Sequence, residues 1–210
     1  MNRHSASYPP AYGLVLYARS RALPRAVAAL CTAAALIVVC RQLPAYHLDP
    51  EVRVPAEAMA PVLAACAIGT SLDQHSPALD LTAVRPWRAR RLGHLAGLTL
   101  IACLTLALVT PGGEQGFATV AVLRNLIGAV GVALAAATVI GARLSWAPTL
   151  VYFSMMYLMH GTPYGRAAAL WGWAAQPGTQ PLAWIPPLAA FAVGAALYVI
   201  RGARVDDRRS

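Results

Sequence analysis

The chain has 210 residues, of which 58% are hydrophobic and 12% charged, and its formal net charge is +9. A soluble domain carries about 25% charged residues, so this composition excludes an ordinary soluble protein and points to the membrane. All 17 basic residues are arginine; without lysine, the chain can have neither a phosphate-binding loop of the G-x-x-x-x-G-K-[ST] type nor a Schiff-base lysine.

A helix crosses a bilayer with about 20 apolar residues, the range being about 17–25. Ahead of the first such run lies "AYGLVLYARSRALPR", which mixes apolar residues with arginine and contains no acid. It reads as a helix lying along the inner leaflet. Residues 1–23 are therefore assigned to a cytoplasmic segment, and a cleavable signal peptide is not expected there. Six candidate spans follow, at about 24–43, 55–72, 92–110, 118–141, 144–160 and 182–200. Arg25 and Arg41 flank the first and are expected to snorkel. Pro55, Pro148, Pro186 and Pro187 fall near span starts, where proline is tolerated, while Pro61 lies deeper and is expected to bend the second span. The fourth span is rich in small residues, including Gly128, Ala129, Gly131 and Ala133. Such residues let helix backbones approach closely in lipid, either within one bundle or across a dimer. The fifth span carries "VYFSMMYLMH", which reads as core or as the lining of a greasy path.

The distribution of arginine sets the orientation. With the N-terminus inside, thirteen arginines face the cytoplasm and four face outward. The expected fold is thus an all-α membrane protein of six transmembrane helices in a cell inner (cytoplasmic) membrane, with both termini cytoplasmic and residues 201–210 as an inner tail. The basic charge is a topology signal and an attraction to lipid headgroups; no nucleic-acid partner is implied. Residues 161–181 face outward, and "RAAALWGWAA" within them is too short to span. It reads as a surface-lying or re-entrant helix at the mouth of the bundle.

Chemistry-bearing constellations are scarce. Cys31, Cys40, Cys66 and Cys103 form no C-x-x-C and read as small buried hydrophobes. The five histidines show no metal-ligand spacing. No metal site, cofactor or catalytic set is expected on this chain. Arg124 lies several residues into the fourth span, with Glu114 ten residues earlier on the same side. An intramembrane cation is costly and often functional, but snorkelling or pairing with Glu114 accounts for it equally well. Arg53 and Glu57 read as a local helix pair.

One polar block interrupts the apolar pattern, "SLDQHSPALDLTAVRPWRARRLGHL" from Ser71 to Leu95. Ser76-Pro77 is a helix start, with Ser76 as cap and proline at the first position, and Asp80 suits the dipole. Arg85-Pro86 is a stop. A helix of about eight residues is marginal alone, and Leu79, Leu81 and Val84 make it too apolar for a free loop. It is therefore read either as a segment resting on headgroups or as a plug for a groove on a cytoplasmic protein.

The order of basic pre-membrane segment, span, outer loop, span, short inner helix, four further spans and a helical outer insertion before the last resembles the membrane subunit of ABC-2 type transporters. The arginine-only, alanine-rich style resembles actinobacterial members. That resemblance covers nearly the whole chain and is one of pattern. It implies that Tyr12 to Leu23 form an elbow helix and that 161–181 is a re-entrant hairpin. Within the 73–91 loop, Ser76 to Val84 would form a coupling helix, with Asp73, Asp80 and Arg85 as polar contacts to a separate ABC ATP-binding subunit. It also implies ATP-Mg on that partner, a second permease chain in a homo- or heterodimer, and export of a hydrophobic or amphipathic compound such as an antibiotic or peptide. The rival reading is a non-transporting accessory or structural six-span protein.

Overall fold

The computed structural model describes residues 23–42, 50–72, 87–110, 119–158 and 165–204. Seven α-helices occur among them: α1 (Leu23–Gln42), α2 (Pro50–Ser71), α3 (Trp87–Val109), α4 (Thr119–Val139), α5 (Trp146–Leu158), α6 (Arg166–Trp171) and α7 (Ile185–Arg201). Short 3-10 turns at Ala142–Leu144, Trp173–Ala175 and Pro181–Trp184 join the later helices. Every regular element among the described residues is helical, as hydrocarbon demands: a helix satisfies its backbone polar groups internally.

Three helical stretches are long and apolar enough to cross a membrane, Arg88–Val109, Thr119–Val139 and Pro181–Arg201. The chain is an all-α, multi-span membrane protein. Val27–Cys40 and Met59–Ser71 are shorter apolar stretches. They lie within α1 and α2, which run to 20 and 22 residues, and the described part of α5 adds 13 more apolar-rich helical residues.

Several boundaries differ from those expected. The third helix begins at Trp87 rather than near 92, because Arg88, Arg90 and Arg91 are helical. Trp87 to Arg91, about one and a half turns, extend the helix beyond its apolar part, where long side chains can keep their heads out of hydrocarbon. The second helix begins at Pro50 rather than near 55, with proline at a first position that needs no N–H partner. The last α-helix starts at Ile185, and Pro186 and Pro187 fall in its first turn. It ends at Gly202, whose φ of 80° is open to glycine and whose N–H donates to Tyr198 O at 2.8 Å.

The bundle is built around α4. Of the apolar window in α4, 72% is buried, against 28% in α3 and 22% in α7. Gly131 and Gly194 explain how α7 comes so close. A Cβ on Gly194 would overlap the Gly131 carbonyl oxygen, and one on Gly131 would overlap the Ala190–Phe191 backbone. Gly128, Ala129, Gly131, Ala133 and Ala137 are all buried within the chain, so these small residues serve packing inside one bundle. A second approach is made at Gly69 of α2, where a Cβ would meet Ser145 Oγ at 2.5 Å.

Contacts at the helix ends fix their alternation. Gly69 lies by Ser145, Arg91 by Gly202, and the Arg204 N–H donates to Ala137 O at 2.9 Å. The ends of α2, α4 and α7 and the starts of α3 and α5 thus share one end of the bundle, hereafter the basic end. At the opposite end the Thr119 hydroxyl donates to Thr110 O, tying the start of α4 to the end of α3.

α1 packs by one stripe, with Leu30, Ala33 and Ile37 buried. Cys31 lies off that stripe and is exposed, and Cys40, Cys66 and Cys103 are half-buried. This corrects the reading of all four as buried: a peripheral helix turns most of its circumference outward. All four thiols are free.

Candidate functional site

The segment between α5 and α7 enters the bundle at the end opposite the basic one. Its described part, residues 165–184, consists of α6, two 3-10 turns and the stretch between them, so some of its carbonyls lie outside regular helix. Where non-helical backbone lies at membrane depth, the protein must satisfy it. Here two adjacent side chains of α4 do so. Arg124 and Asn125 are both 0% exposed. Arg124 Nη1 donates to Pro177 O at 2.9 Å and Nη2 to Gln176 O at 2.6 Å. Asn125 Nδ2 donates to Ala174 O at 2.9 Å. The pair is also locked internally, because Arg124 Nε and Nη2 both donate to Asn125 Oδ1, at 3.3 and 3.2 Å. The planar fork of arginine suits such multiple bonding, which the single point of a lysine could not reproduce.

Asn125 is six residues beyond Thr119, about 9 Å along the helix axis. The Ala174 backbone bonded to it therefore sits well below the start of α4. Trp173 reaches deeper. Its indole edge fills the space where a Cβ of Gly128 would stand, and Pro187 Cβ closes the same space at 2.7 Å. On its other side the indole stacks on Tyr152 (centroids 5.3 Å apart, 21° between planes) and meets Phe153 edge-on (5.6 Å, 89°). Both aromatics belong to α5. The Tyr152 hydroxyl donates to Trp171 O at 2.9 Å. The segment is fastened again where Trp184 Nε1 donates to Gly178 O at 3.3 Å. Gly178 lies close under the start of α4, where a Cβ would meet Ala121 N at 2.9 Å.

The arrangement holds an irregular segment inside an apolar bundle by a hydrogen-bonded clamp on one side and an aromatic stack on the other. The segment is thereby fastened to α4 and α5 at the end opposite the basic one. The aromatic half of "VYFSMMYLMH" divides accordingly: Phe153 is core, whereas Val151 and Met155 are turned outward. Among the described residues no group of three His, Cys, Asp or Glu could hold a metal ion.

Of the residues singled out in the sequence, Arg124 is placed at this clamp, bonded to loop carbonyls and buried. Glu114 lies outside the described residues. So do Asp73, Ser76, Leu79, Asp80, Leu81, Val84 and Arg85, and with them the coupling segment. The elbow stretch lies outside as well, apart from Leu23, which opens α1. Asn125, Trp173, Tyr152 and Phe153 were not singled out as members of one site. The available signal was the Arg124-Asn125 pair, two strong donors adjacent in an otherwise apolar span, which implies acceptors nearby. Compared with protein-family models, with curated proteins and with solved structures, the chain finds nothing that matches.

Proposed function

We propose that the chain is the membrane-spanning permease subunit of an ATP-driven exporter of the ABC-2 type, with six spans, both ends in the cytoplasm of an inner membrane, and ATP hydrolysis on a separate subunit. The observation that carries this reading is the clamped, non-helical segment ahead of the last helix, held at membrane depth by Arg124 and Asn125. Non-helical backbone at membrane depth is tolerated where it is buried in protein or lines a cavity, as in the broken helices of transporters, and this supports a transport reading. The absence of lysine fits a chain that leaves nucleotide binding to a partner. The exported compound is hydrophobic or amphipathic, and the working unit pairs two permease chains with ATPase subunits.

On this reading ATP-driven closure of the ATPase pair draws the Ser76 to Val84 coupling segments of the two permease chains together. The spans move as rigid bodies and the clamped segment is released outward. The test is co-purification of the chain with an ATP-binding-cassette subunit after gentle detergent extraction, together with L79D/L81D. The double variant is expected to insert normally and to lose both the partner and ATP-dependent export. Full export by L79D/L81D, or an isolated assembly containing no ATPase, refutes the proposal.

A further inference from the structure

The basic end carries arginine on three elements: Arg88 and Arg91 on α3, Arg143 in the turn after α4, and Arg201 and Arg204 at the end of α7. Two of them also serve the fold. Arg91 Nη1 donates to Val199 O at 3.4 Å, and its guanidinium lies against Gly202. Arg204 Nη1 donates to Val139 O at 2.9 Å. Both meet carbonyls at helix C-termini, where a cation is favoured. These bonds seat Arg91 against the end of α7, where Arg201 is the last helical residue, and tie Arg204 to the end of α4, and Arg88 stands one turn from Arg91 on the same helix face. Arg88, Arg143, Arg201 and Arg204 are exposed. The acids among the described residues, Glu51 and Glu57, belong to the first part of α2, at the opposite end. Asp73, Asp80, Asp206 and Asp207 lie outside the described residues.

Apolar side chains turned out of the bundle sit directly beside these cations. Leu92 is 53% exposed next to Arg91, Leu144 53% next to Arg143, and Ile200 61% next to Arg201. Trp146, 39% exposed, stands at the same end and suits the membrane–water boundary. The surface thus has two parts, a band of guanidinium groups and apolar helix faces running away from it. We propose that it is a binding surface for an anionic phospholipid, with the headgroup phosphate among Arg88, Arg201 and the outer edges of Arg91 and Arg204, and the acyl chains along α3 and α7. Arginine is suited to this role because its fork pairs with phosphate oxygens bidentately. Basic surfaces between helices at headgroup level attract anionic lipid and lose it as charge is removed. The inference rests on the multi-span membrane fold and is independent of any ATPase partner.

The test uses the full chain purified in detergent with equal amounts of phosphatidylcholine and phosphatidylglycerol, with retained lipids counted by native mass spectrometry. The intact chain is expected to retain phosphatidylglycerol about tenfold over phosphatidylcholine. R88Q/R201Q, which leaves the Arg91 and Arg204 caps in place, is expected to lose most of that preference while keeping its helicity. R166Q, at the opposite end, is expected to keep the preference. Inorganic phosphate, which brings no acyl chains, is expected not to displace the lipid. If the double variant loses helicity, R88Q and R201Q singly carry the test, each lowering the preference in a smaller step. Equal retention of the two lipids by the intact chain overturns the proposal; such a result would mean that an acidic segment of the chain already occupies the arginines. Undiminished preference in R88Q/R201Q, or in both single variants, also overturns it, as does displacement by phosphate.

Discussion

Arg124 and Asn125 show how one pair of side chains makes an irregular segment tolerable inside a membrane bundle. The carbonyls at Ala174 and Gln176 would each cost about 1–3 kcal/mol if left unsatisfied and buried, while Pro177 O also accepts from the Gln180 N–H at 3.1 Å. Asn125→Ala removes the donor to Ala174 O and the acceptor that orients Arg124. It is expected to lower stability by about 2 kcal/mol, measured by thermal unfolding in detergent. Arg124→Lys keeps the charge but not the fork, and is expected to fall between the intact chain and Arg124→Met. If Arg124→Met unfolds at the same temperature as the intact chain, the guanidinium does not hold the segment. The pair was legible as an anomaly, two strong donors in an apolar run. Its acceptors were not, because they are backbone atoms about 50 residues away in sequence.

At the scale of elements, α4 is central because it meets α7 backbone to backbone and holds the segment ahead of α7 by two of its side chains. Gly131 and Gly194 let α4 and α7 touch without intervening atoms, which is how helices gain van der Waals contact when lipid supplies no hydrophobic drive between them. Gly131→Ala is expected to cost about 1–3 kcal/mol by forcing the two helices apart. Gly97→Ala on α3 meets nothing within 4 Å and is expected to be neutral or to stabilise by up to about 1 kcal/mol through helix propensity. Thermal unfolding of the two variants side by side checks this. Equal effects would mean that the Gly131 contact is not a close one. The small residues were visible in sequence, but which helix they faced was not. Composition favoured packing within one bundle over a dimer interface, and the Gly194 contact shows Gly131 engaged within the chain.

For the whole molecule, the arginine bias and the contacts at the helix ends define the same two ends. Arg88, Arg143, Arg201 and Arg204 share one of them, and Arg166 belongs to the segment that enters from the other. With the native cysteines replaced, single cysteines at Arg88 and Arg166 are therefore expected to react with an impermeant maleimide from opposite sides of the membrane. Arg166→Cys should be labelled in intact cells and Arg88→Cys only after the membrane is opened. Labelling of both from one side would invalidate the alternation of helices described above.

The sequence by itself determined the all-helical membrane class, the places where α1, α4 and α7 run, and the distinction between a basic end and its opposite. These follow from local properties, the length of apolar runs and the position of charges relative to them, which the bilayer reads one segment at a time. The tertiary structure alone decided that α4 is the centre, that Trp173 closes over Gly128, and that Arg124 bonds to the carbonyls of Gln176 and Pro177. Those outcomes depend on which helix face meets which neighbour. Alanine- and leucine-rich helices in lipid are nearly uniform around their circumference, so the pairing is set by the few glycines and buried donors that only one arrangement satisfies.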